Sequence, residues 1–329
     1  DHLVTGYAEG NAAAIFRVLA EEKSLPAIVP GENVSADHIP RIDGAASLGA
    51  VEISRGCGLG CTFCTLGRGF MEHLPPATIL ADAEKNLAGG CTSLSLLSED
   101  AFRYGADGLR ARPEMLIGLL EALRALPRVR LLQLDHANLC TVAQYADDEL
   151  RAVRDLMVGR TGGRMPWLNV GVETAAGHLL WKNGGLPKMD RHVEDWGDYA
   201  ATQLRRLITA GFFPIVSLQL GLPGETESDI RQTQRWVDGL RGEPLSIYPL
   251  LHAPIDGREP VTASRLRIWH WALIRACYEF NFTWMPRLYE DNQRAAGVAW
   301  TRRLLMKTLA PFKTMQWRQL LAQHAGKSR

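Results

Sequence analysis

The sequence lacks the features that mark several specialised classes of protein. No stretch approaches the ~18 uninterrupted apolar residues that a membrane span requires, so we expect no membrane partner. Only six of the 329 residues are cysteine, and they are not spread as in a small secreted disulfide protein. The formal net charge is +1, so the whole molecule is not a general nucleic-acid binder. The chain opens without Met and without a basic-then-apolar signal segment, and we expect a cytoplasmic protein.

The composition that remains is that of an ordinary globular protein. Apolar residues make up 46% of the chain and charged residues 22%, which excludes a disordered chain, a collagen and a coiled coil. At about 150 residues per domain, the length corresponds to one large domain or two ordinary ones.

Short apolar runs alternate with amphipathic helical stretches along most of the chain. The runs with the character of buried strands are residues 48–53, 92–97, 129–134, 167–172, 214–220 and 245–251. The helical patterns are residues 76–87, 113–126, 147–157, 196–210, 226–240 and 262–280. This alternation predicts right-handed βαβ units and a parallel sheet. No Gly-x-Gly-x-x-Gly follows the first strand, so we expect an α/β fold with a partial (β/α)6 TIM-like barrel rather than a dinucleotide-binding fold.

Two flanks lie on either side of the predicted barrel core, which we assign to residues 47–258. Residues 1–46 form an N-terminal linker segment, with one helix near residues 10–22 and a Pro- and Gly-rich connector over 26–44. Residues 259–329 are predicted to form a helical C-terminal extension.

The end of this extension is strongly basic. Residues 287–329 carry nine Lys or Arg against Glu290 and Asp291, a net charge of +7 that leaves −6 for the rest of the chain. Basic residues interleaved with aromatics can bind RNA. However, Trp300, Leu304 and Leu305 recur at helical spacing, which indicates a packing face and favours a helical cap on the barrel.

Three cysteines are concentrated in one glycine-rich stretch directly after the first predicted strand. Residues 54–64 read Ser-Arg-Gly-Cys-Gly-Leu-Gly-Cys-Thr-Phe-Cys, which places Cys57, Cys61 and Cys64 at Cys-x3-Cys-x2-Cys spacing. Three thiolates on such a loop can converge on one metal centre, and the glycines supply backbone freedom for the wrap. Structural zinc needs a fourth ligand, for which His73 is the nearest candidate. A [4Fe–4S] cluster held by three thiolates would instead leave one iron open.

The loop closely resembles the signature of the radical S-adenosylmethionine superfamily, including the aromatic Phe63 before the last cysteine. The resemblance implies that Cys57, Cys61 and Cys64 hold a [4Fe–4S] cluster whose open iron binds S-adenosylmethionine, with Phe63 beside the cofactor. It also implies an external electron donor such as flavodoxin or ferredoxin. One electron cleaves S-adenosylmethionine in this superfamily and yields a 5′-deoxyadenosyl radical, which abstracts a substrate hydrogen.

Polar residues at two further strand ends match positions that contact S-adenosylmethionine in the superfamily. Ser98, Glu99 and Asp100 follow the second predicted strand, where family members bind the methionyl ammonium. The alternative is a helix N-cap cluster, since Ser and Asp cap helices well. Glu173 ends the fourth strand and resembles the family's ribose-contacting acid, because a carboxylate accepts hydrogen bonds from vicinal hydroxyls. The alternative is a capping or surface glutamate.

The fifth strand runs into a Gly-Leu-Pro-Gly-Glu-Thr turn at residues 221–226. This turn resembles one shared by tRNA methylthiotransferases, coproporphyrinogen-oxidase-like enzymes and cobalamin-binding radical S-adenosylmethionine enzymes. Gln219 before the turn and Leu250 on the sixth strand are the corresponding cofactor-binding candidates. In addition, Thr226 and Asp229 are spaced as in a capping box.

Candidate catalytic residues follow from the end of the sixth strand, at the expected mouth of the barrel. Tyr248 and His252 are the candidates there, and Asp256 lies close by in sequence. His252 has an unperturbed pKa near neutrality and can carry a proton. The alternative is a loop histidine that makes one hydrogen bond.

The N-terminal stretch favours one branch of the superfamily. Methylthiotransferases carry a second three-cysteine cluster upstream and a small RNA-binding barrel after the core, and neither is visible here. Residues 4–10, Val-Thr-Gly-Tyr-Ala-Glu-Gly, resemble the link between a cobalamin-binding domain and a radical S-adenosylmethionine domain. The resemblance implies a transferase, with a cobalamin-dependent methyltransferase-type reaction on a small-molecule or peptide substrate. The alternatives are a radical enzyme without cobalamin, acting on RNA or a small molecule, and a zinc-stabilised RNA-binding module.

Overall fold

The computed structural model, which describes residues 1–64, 69–159, 165–255 and 257–327, is a mixed α/β structure with parallel sheets. Its strands are β1 (Leu3–Thr5), β2 (Ile28–Pro30), β3 (Ala50–Glu52), β4 (Ser54–Arg55), β5 (Glu72–His73), β6 (Ser93–Leu97), β7 (Leu131–Leu134), β8 (His136–Ala137), β9 (Trp167–Glu173), β10 (Phe213–Leu220) and β11 (Ser246–Leu251). Its helices are α1 (Ala12–Ala20), α2 (Pro76–Ala88), α3 (Pro113–Ala125), α4 (Leu139–Val142), α5 (Asp147–Val158), α6 (Gly177–Lys182), α7 (Trp196–Thr209), α8 (Glu227–Gly239), α9 (Ile268–Ala295) and α10 (Trp300–Lys327). The predicted alternation of strands and helices is therefore confirmed.

Two parallel sheets carry the core strands. One has the order β3-β6-β7 and the other β11-β10-β9-β8. The chain passes from the first sheet to the second at Asp135, whose backbone carbonyl accepts a hydrogen bond from the Asn169 amide at 3.0 Å. The Asp135 carboxylate also accepts one from the Asn169 side chain at 3.1 Å. Because neighbouring strands run parallel, the residues that follow them lie at one edge of each sheet, where ligands bind in α/β folds.

Leucine-rich helix faces cover these sheets. In α3, which begins at Pro113 with the proline in the first turn, the leucines at i, i+3, i+4 and i+7 spacing are all buried: Leu116, Leu119, Leu120 and Leu123. They share one core with Val153 and Met157 of α5. Burying each such side chain contributes about 1.5–3 kcal/mol relative to leaving it exposed. The helices are thereby held on the sheets, with the strand ends left for the site.

Two elements outside the core differ from the sequence prediction. The connector over residues 26–44 contains β2, which pairs in parallel with β1. Its Ile28 and Val29 favour extended structure, and Pro30 occupies the last position of the strand, where a missing N–H is tolerated. The helix predicted for 262–280 begins at Ile268 and continues through Pro286 to Ala295, because packing against β11 and α8 outweighs the lost backbone hydrogen bond.

The basic C-terminal helix α10 packs along α9. Trp317 stacks on Tyr278 with ring centroids 6.1 Å apart, and Arg318 pairs with Glu279 at 2.9 Å. Trp300, Leu304 and Leu305 are more than half exposed, so the predicted packing face of these three residues is wrong: α10 contacts α9 through other residues, such as Trp317 and Arg318. Within the ranges that the structure describes, no helix is both long and apolar enough to cross a membrane.

Candidate functional site

The loop that carries the three cysteines turns through left-handed glycines. Gly56, Gly58 and Gly60 have φ angles of 75°, 66° and 69°, a region that other residues rarely adopt. A Cβ atom on Gly56 would lie 2.5 Å from the carbonyl oxygen of Phe70. The predicted role of these glycines in wrapping the loop is therefore confirmed.

The wrap brings the three cysteines into one buried patch. Cys57 and Cys61 are 9% and 5% exposed and pack with Leu59, while Phe63 and the half-buried Cys64 pack against them. Burial raises the pKa of the Cys57 thiol and raises that of Cys61 to about 11. A metal centre bound here would deprotonate these thiols, since coordination stabilises the thiolate.

The donor set of this patch is three thiols among apolar side chains. In the described ranges, no three His, Cys, Asp or Glu side chains are grouped closely enough to hold one metal ion. In a [4Fe–4S] cluster each thiolate binds a different iron, so the sulfur atoms need not converge on one point. Three thiols in apolar surroundings thus fit the cluster that the resemblance implies.

Asn183 ties the cysteine loop to the turn after β10. Its backbone carbonyl accepts hydrogen bonds from the amide and hydroxyl of Thr62 at 3.2 and 3.0 Å. Its side-chain amide donates to the carbonyl oxygens of Leu179 at 2.9 Å and Pro223 at 3.1 Å. The sequence pattern does not single out Asn183, because these partners come from three separate parts of the chain.

The Gly-Leu-Pro-Gly-Glu-Thr turn is held by its own glutamate. Both carboxylate oxygens of Glu225 accept hydrogen bonds from the Gly221 amide at 3.0 Å, and Oε1 lies 2.8 Å from Nε2 of His270. Thr226 and Asp229 form the predicted capping box, with the Thr226 amide donating to Asp229 at 2.9 Å. These hydrogen bonds hold the shape of the turn within the protein itself.

Two of the three polar residues after β6 are engaged in internal hydrogen bonds. The Ser98 hydroxyl lies 2.5 Å from that of Ser54 and accepts from the Asp100 amide at 3.1 Å. Asp100 is fully buried and accepts from the Thr141 hydroxyl at 2.6 Å and the Asn138 amide at 3.2 Å. These bonds join the end of β6 to the segment after β8.

Glu99, between them, keeps an unused oxygen. Its Oε2 is buried and has no hydrogen-bond partner within the part of the chain that the structure describes. Burial, together with the nearby charge of Glu52, raises the pKa of this carboxyl, and the backbone of Gly56 lies close enough to bond it. A buried acceptor without a partner beside the cysteine loop is suited to a cationic ligand group.

Glu173, at the end of β9, forms a buried ion pair with Lys188, a residue that the sequence pattern does not reveal. Nζ of Lys188 lies 2.6 Å from Oε1 of Glu173, and both side chains are less than a tenth exposed. A Cβ atom on Gly171 would lie 2.6 Å from Nζ and would also collide with Oε1. Burial lowers the pKa of Lys188, but Glu173 and then Cys61 raise it, and the net shift is upward. The lysine therefore stays charged.

The candidates on β10 and β11 lie beside each other but differ in exposure. Gln219 and Leu250 are register partners, and Leu250 is half exposed. His252 is buried, with Nδ1 3.1 Å from Oε1 of Gln219. Tyr248 is half-buried, and burial raises its pKa. Asp256 lies outside the described residues.

Arg55 joins the N-terminal segment to the start of the cysteine loop. Its guanidinium pairs with Glu9 and Glu52, each at 2.8 Å, and donates to Asn33 at 2.8 Å. It also stacks over the ring of Tyr7, 3.8 Å from the centroid. Residues 4–10, which resemble a link to a cobalamin domain, thus contact the start of the cysteine loop through Arg55.

Several known proteins resemble this chain, although no protein-family model matches it. It is 29% identical over 254 residues to the ribosomal protein uS12 methylthiotransferase RimO of Anaeromyxobacter sp. strain Fw109-5, covering 75% of this chain and 50% of that protein. It is 30% identical over 242 residues to RimO of Myxococcus xanthus strain DK1622, covering 72% and 47%. The chain spans about half the length of these curated relatives.

A second kind of relative and two solved structures complete the comparison. The tRNA-2-methylthio-N(6)-dimethylallyladenosine synthase of Acidithiobacillus ferrooxidans is 29% identical over 216 residues, covering 62% of this chain and 43% of that protein. The radical S-adenosylmethionine methyltransferase TsrM of Kitasatospora setae, with cobalamin and a [4Fe–4S] cluster bound, superposes with a TM-score of 0.49 at 15% identity, over 75% and 50% of the two chains. Methylornithine synthase PylB superposes with a TM-score of 0.43 at 15% identity, over 70% and 62%.

Proposed function

Because the chain is a homologue of radical S-adenosylmethionine enzymes, we propose that it is itself one and binds a [4Fe–4S] cluster through Cys57, Cys61 and Cys64. The observation that carries the proposal is the buried patch formed by these three cysteines after β4. When bound, the cluster supplies the electron that cleaves S-adenosylmethionine to the 5′-deoxyadenosyl radical. The chain's own residues hold the cofactor, orient it and keep water away.

The fold we infer around this site is an open (β/α)6 barrel. The order β3-β6-β7 continues through Asp135 into β8-β9-β10-β11, and every neighbouring pair is parallel. The cysteine loop, Glu99, Glu173 and Gln219 then all follow or end strands at one rim. That rim is where barrel enzymes place their chemistry.

We assign the methionyl end of S-adenosylmethionine to the end of β6. The free Oε2 of Glu99 accepts the ammonium group, while Ser98 and Asp100 position the strand end through their internal hydrogen bonds. A charge-assisted hydrogen bond of this kind is about twice as strong as a neutral one.

The nucleoside end is assigned to the opposite wall. Lys188 holds one oxygen of Glu173, which leaves the other to accept hydrogen bonds from ribose hydroxyls. Phe63 packs both on the cysteine patch and on the apolar residues Ala176 and Leu222, so it supplies a face between cluster and nucleoside. Gln219 and Leu250 complete this wall from β10 and β11.

The substrate side is assigned to the end of β11. Tyr248 lies on β11, and His252, whose Nδ1 is 3.1 Å from Oε1 of Gln219, is the proposed proton carrier. We propose a small-molecule or peptide substrate and a flavodoxin or ferredoxin as electron donor. An RNA substrate bound by the basic helix α10 is the alternative.

A methyltransferase-type reaction that uses cobalamin is the second candidate, and the N-terminal segment favours it. β1, α1 and β2 form a parallel βαβ unit whose apolar side chains Leu3 and Ile28 are largely exposed. Parallel sheets are almost always covered on both faces, so this unit suits the edge of a further α/β layer such as a cobalamin-binding domain. Arg55 would hold that layer against the cysteine loop.

Anaerobic reconstitution tests the proposed function. The protein is loaded with iron and sulfide, reduced with dithionite and given S-adenosylmethionine, and 5′-deoxyadenosine is measured by mass spectrometry. We expect product in the wild type, none in Cys61→Ala, and wild-type amounts in the control Cys91→Ala, whose cysteine lies outside the patch. Zinc in place of iron in the wild type would contradict the proposal.

The cobalamin candidate has its own measurement. Cobalamin and S-adenosylmethionine with a labelled methyl group are supplied together, and label on cobalamin is followed by chromatography. Transfer of label supports the second candidate. Formation of 5′-deoxyadenosine without such transfer favours the enzyme without cobalamin.

A further inference from the structure

A buried arginine beside the cysteine loop has donor groups that no side chain or carbonyl in the described ranges satisfies. Arg103 ends the short helical turn Ala101–Arg103 after β6 and is 2% exposed. Its Nη2 donates to the backbone carbonyl of Cys57 and to Sδ of Met71, the latter at 3.2 Å. Among the residues that the structure describes, its Nε and Nη1 find no hydrogen-bond partner.

The nearest carboxylate does not satisfy these donors. Oδ2 of Asp100 lies 3.8 Å from Nε, too far for a hydrogen bond, and that oxygen already accepts from Thr141 at 2.6 Å. Burying a charged group whose donors are unpaired costs more free energy than one ordinary hydrogen bond contributes. Buried donors of this kind therefore usually have a hydrogen-bond partner. The Nε and Nη1 groups of Arg103 are therefore suited to donate to an anionic acceptor.

A half-buried arginine in the same chain, Arg124, shows what a structural role looks like. Every guanidinium nitrogen of Arg124 donates to backbone carbonyls, which belong to Val129, Arg130, Leu156 and Met157. Arg124 thus links the end of α3 to the end of α5 and the segment before β7, and each of its guanidinium nitrogens already donates a hydrogen bond. In contrast, only Nη2 of Arg103 donates hydrogen bonds, to the Cys57 carbonyl and the Met71 thioether.

We propose that Arg103 is a positioning residue for the [4Fe–4S] cluster, donating its free N–H groups to cluster sulfur and raising the cluster's reduction potential. The inference rests on the proposed function. The bond to the Cys57 carbonyl places the guanidinium next to the first thiolate of the loop. Hydrogen bonds to sulfur and nearby charge are the protein's means of adjusting such potentials. A buried cation favours the reduced cluster, because one-electron reduction by the external donor adds a negative charge.

The test compares three variants of the full chain after anaerobic reconstitution. Arg103→Met removes charge and donors, and Arg103→Lys keeps the charge. Arg124→Met removes a half-buried arginine that lies away from the loop. Each is titrated with dithionite, with the reduced cluster followed by electron paramagnetic resonance. Iron content and thermal unfolding are measured on the same samples.

At a fixed potential near the wild-type midpoint, we expect the ratio of reduced to oxidised cluster to fall about tenfold in Arg103→Met, equivalent to about 59 mV for one electron. We expect a change of at most about threefold in Arg103→Lys, because a cation remains. Arg124→Met lowers the unfolding temperature and leaves the ratio unchanged. Loss of iron from folded Arg103→Met but not from Arg103→Lys supports the same role.

Two results would overturn the inference. One is an unchanged ratio in Arg103→Met with full iron content. The other is loss of iron from both Arg103 variants while they remain folded, which would assign Arg103 to the loop backbone alone. Absence of a [4Fe–4S] cluster from the wild type is a different result, since it contradicts the proposed function itself.

Discussion

Nζ of Lys188 lies 2.6 Å from Oε1 of Glu173, and this ion pair is enclosed in the protein beside Cys61. Neither charge retains much of its water, so each depends on the other. Glu173 is thereby held at the end of β9 with a positive φ of 67°. The acid assigned to the ribose is thus oriented before any cofactor arrives.

Removing one member of this pair should be more harmful than removing both. We expect Lys188→Met to lower the free energy of unfolding by about 3–5 kcal/mol, because it leaves Glu173 charged and buried. The double variant Lys188→Met/Glu173→Leu should recover most of that loss. Urea denaturation of the cluster-free protein measures both. Equal losses in the single and double variants would show that the pair is not coupled.

The space above Gly171 provides a second test of the same pair. Gly171→Ala places a methyl group against Nζ of Lys188, and we expect a loss of stability of about 1–3 kcal/mol from overpacking. The matched control is Gly118→Ala in the exposed middle of α3, where nothing lies within 4 Å of the added Cβ. There alanine should add about 0.5–1 kcal/mol, since it favours helix. Thermal unfolding should therefore shift in opposite directions.

Arg55 is expected to hold the N-terminal segment on the core. In Arg55→Met, Glu9 and Glu52 lose their buried cation, and the two-stranded sheet of β1 and β2 is not stable alone. Hydrogen exchange of residues 1–31 should become at least ~10-fold faster, while α3 stays protected. The surface pair Arg231–Glu227 offers the control, because Arg231→Met should leave exchange unchanged. Unaltered exchange in Arg55→Met would contradict this role.

Glu99 should make the binding of S-adenosylmethionine depend on pH. Burial raises the pKa of its carboxyl, so the carboxylate takes up a proton at a higher pH than an exposed glutamate does. Protonation removes the charge that attracts the ammonium group, and affinity should fall as pH drops through the raised pKa. In Glu99→Gln, binding at high pH should be about 10–100-fold weaker, the size of a lost charged hydrogen bond.

Equilibrium dialysis of the cluster-loaded protein measures this dependence. Glu114→Gln, at an exposed glutamate on α3, should bind like the wild type at every pH. A pH profile of Glu99→Gln that still follows the wild type would assign the ammonium to another group.

The element pattern was predictable because it depends on local periodicity. The expected strand over 214–220 is Phe213–Leu220, and the expected helix over 113–126 is Pro113–Ala125. Apolar residues at helical or strand spacing form one buried face of an element whatever the rest of the fold is. The order of the residues therefore suffices to predict the type of element. The left-handed glycines of the cysteine loop were predictable for a similar reason, since the conformation depends on the residue itself.

The alternation of strands and helices and the three-cysteine loop after the first core strand therefore follow from the order of the residues alone. Which polar groups meet beside that loop depends on how the strands and helices pack. Lys188 reaches Glu173 across 15 residues, Arg103 reaches the Cys57 carbonyl across 46, and Asn183 reaches Thr62 across 121. Such contacts produce no periodic pattern in the sequence. Each depends on one side chain, and its partner comes close only when the sheets and helices pack.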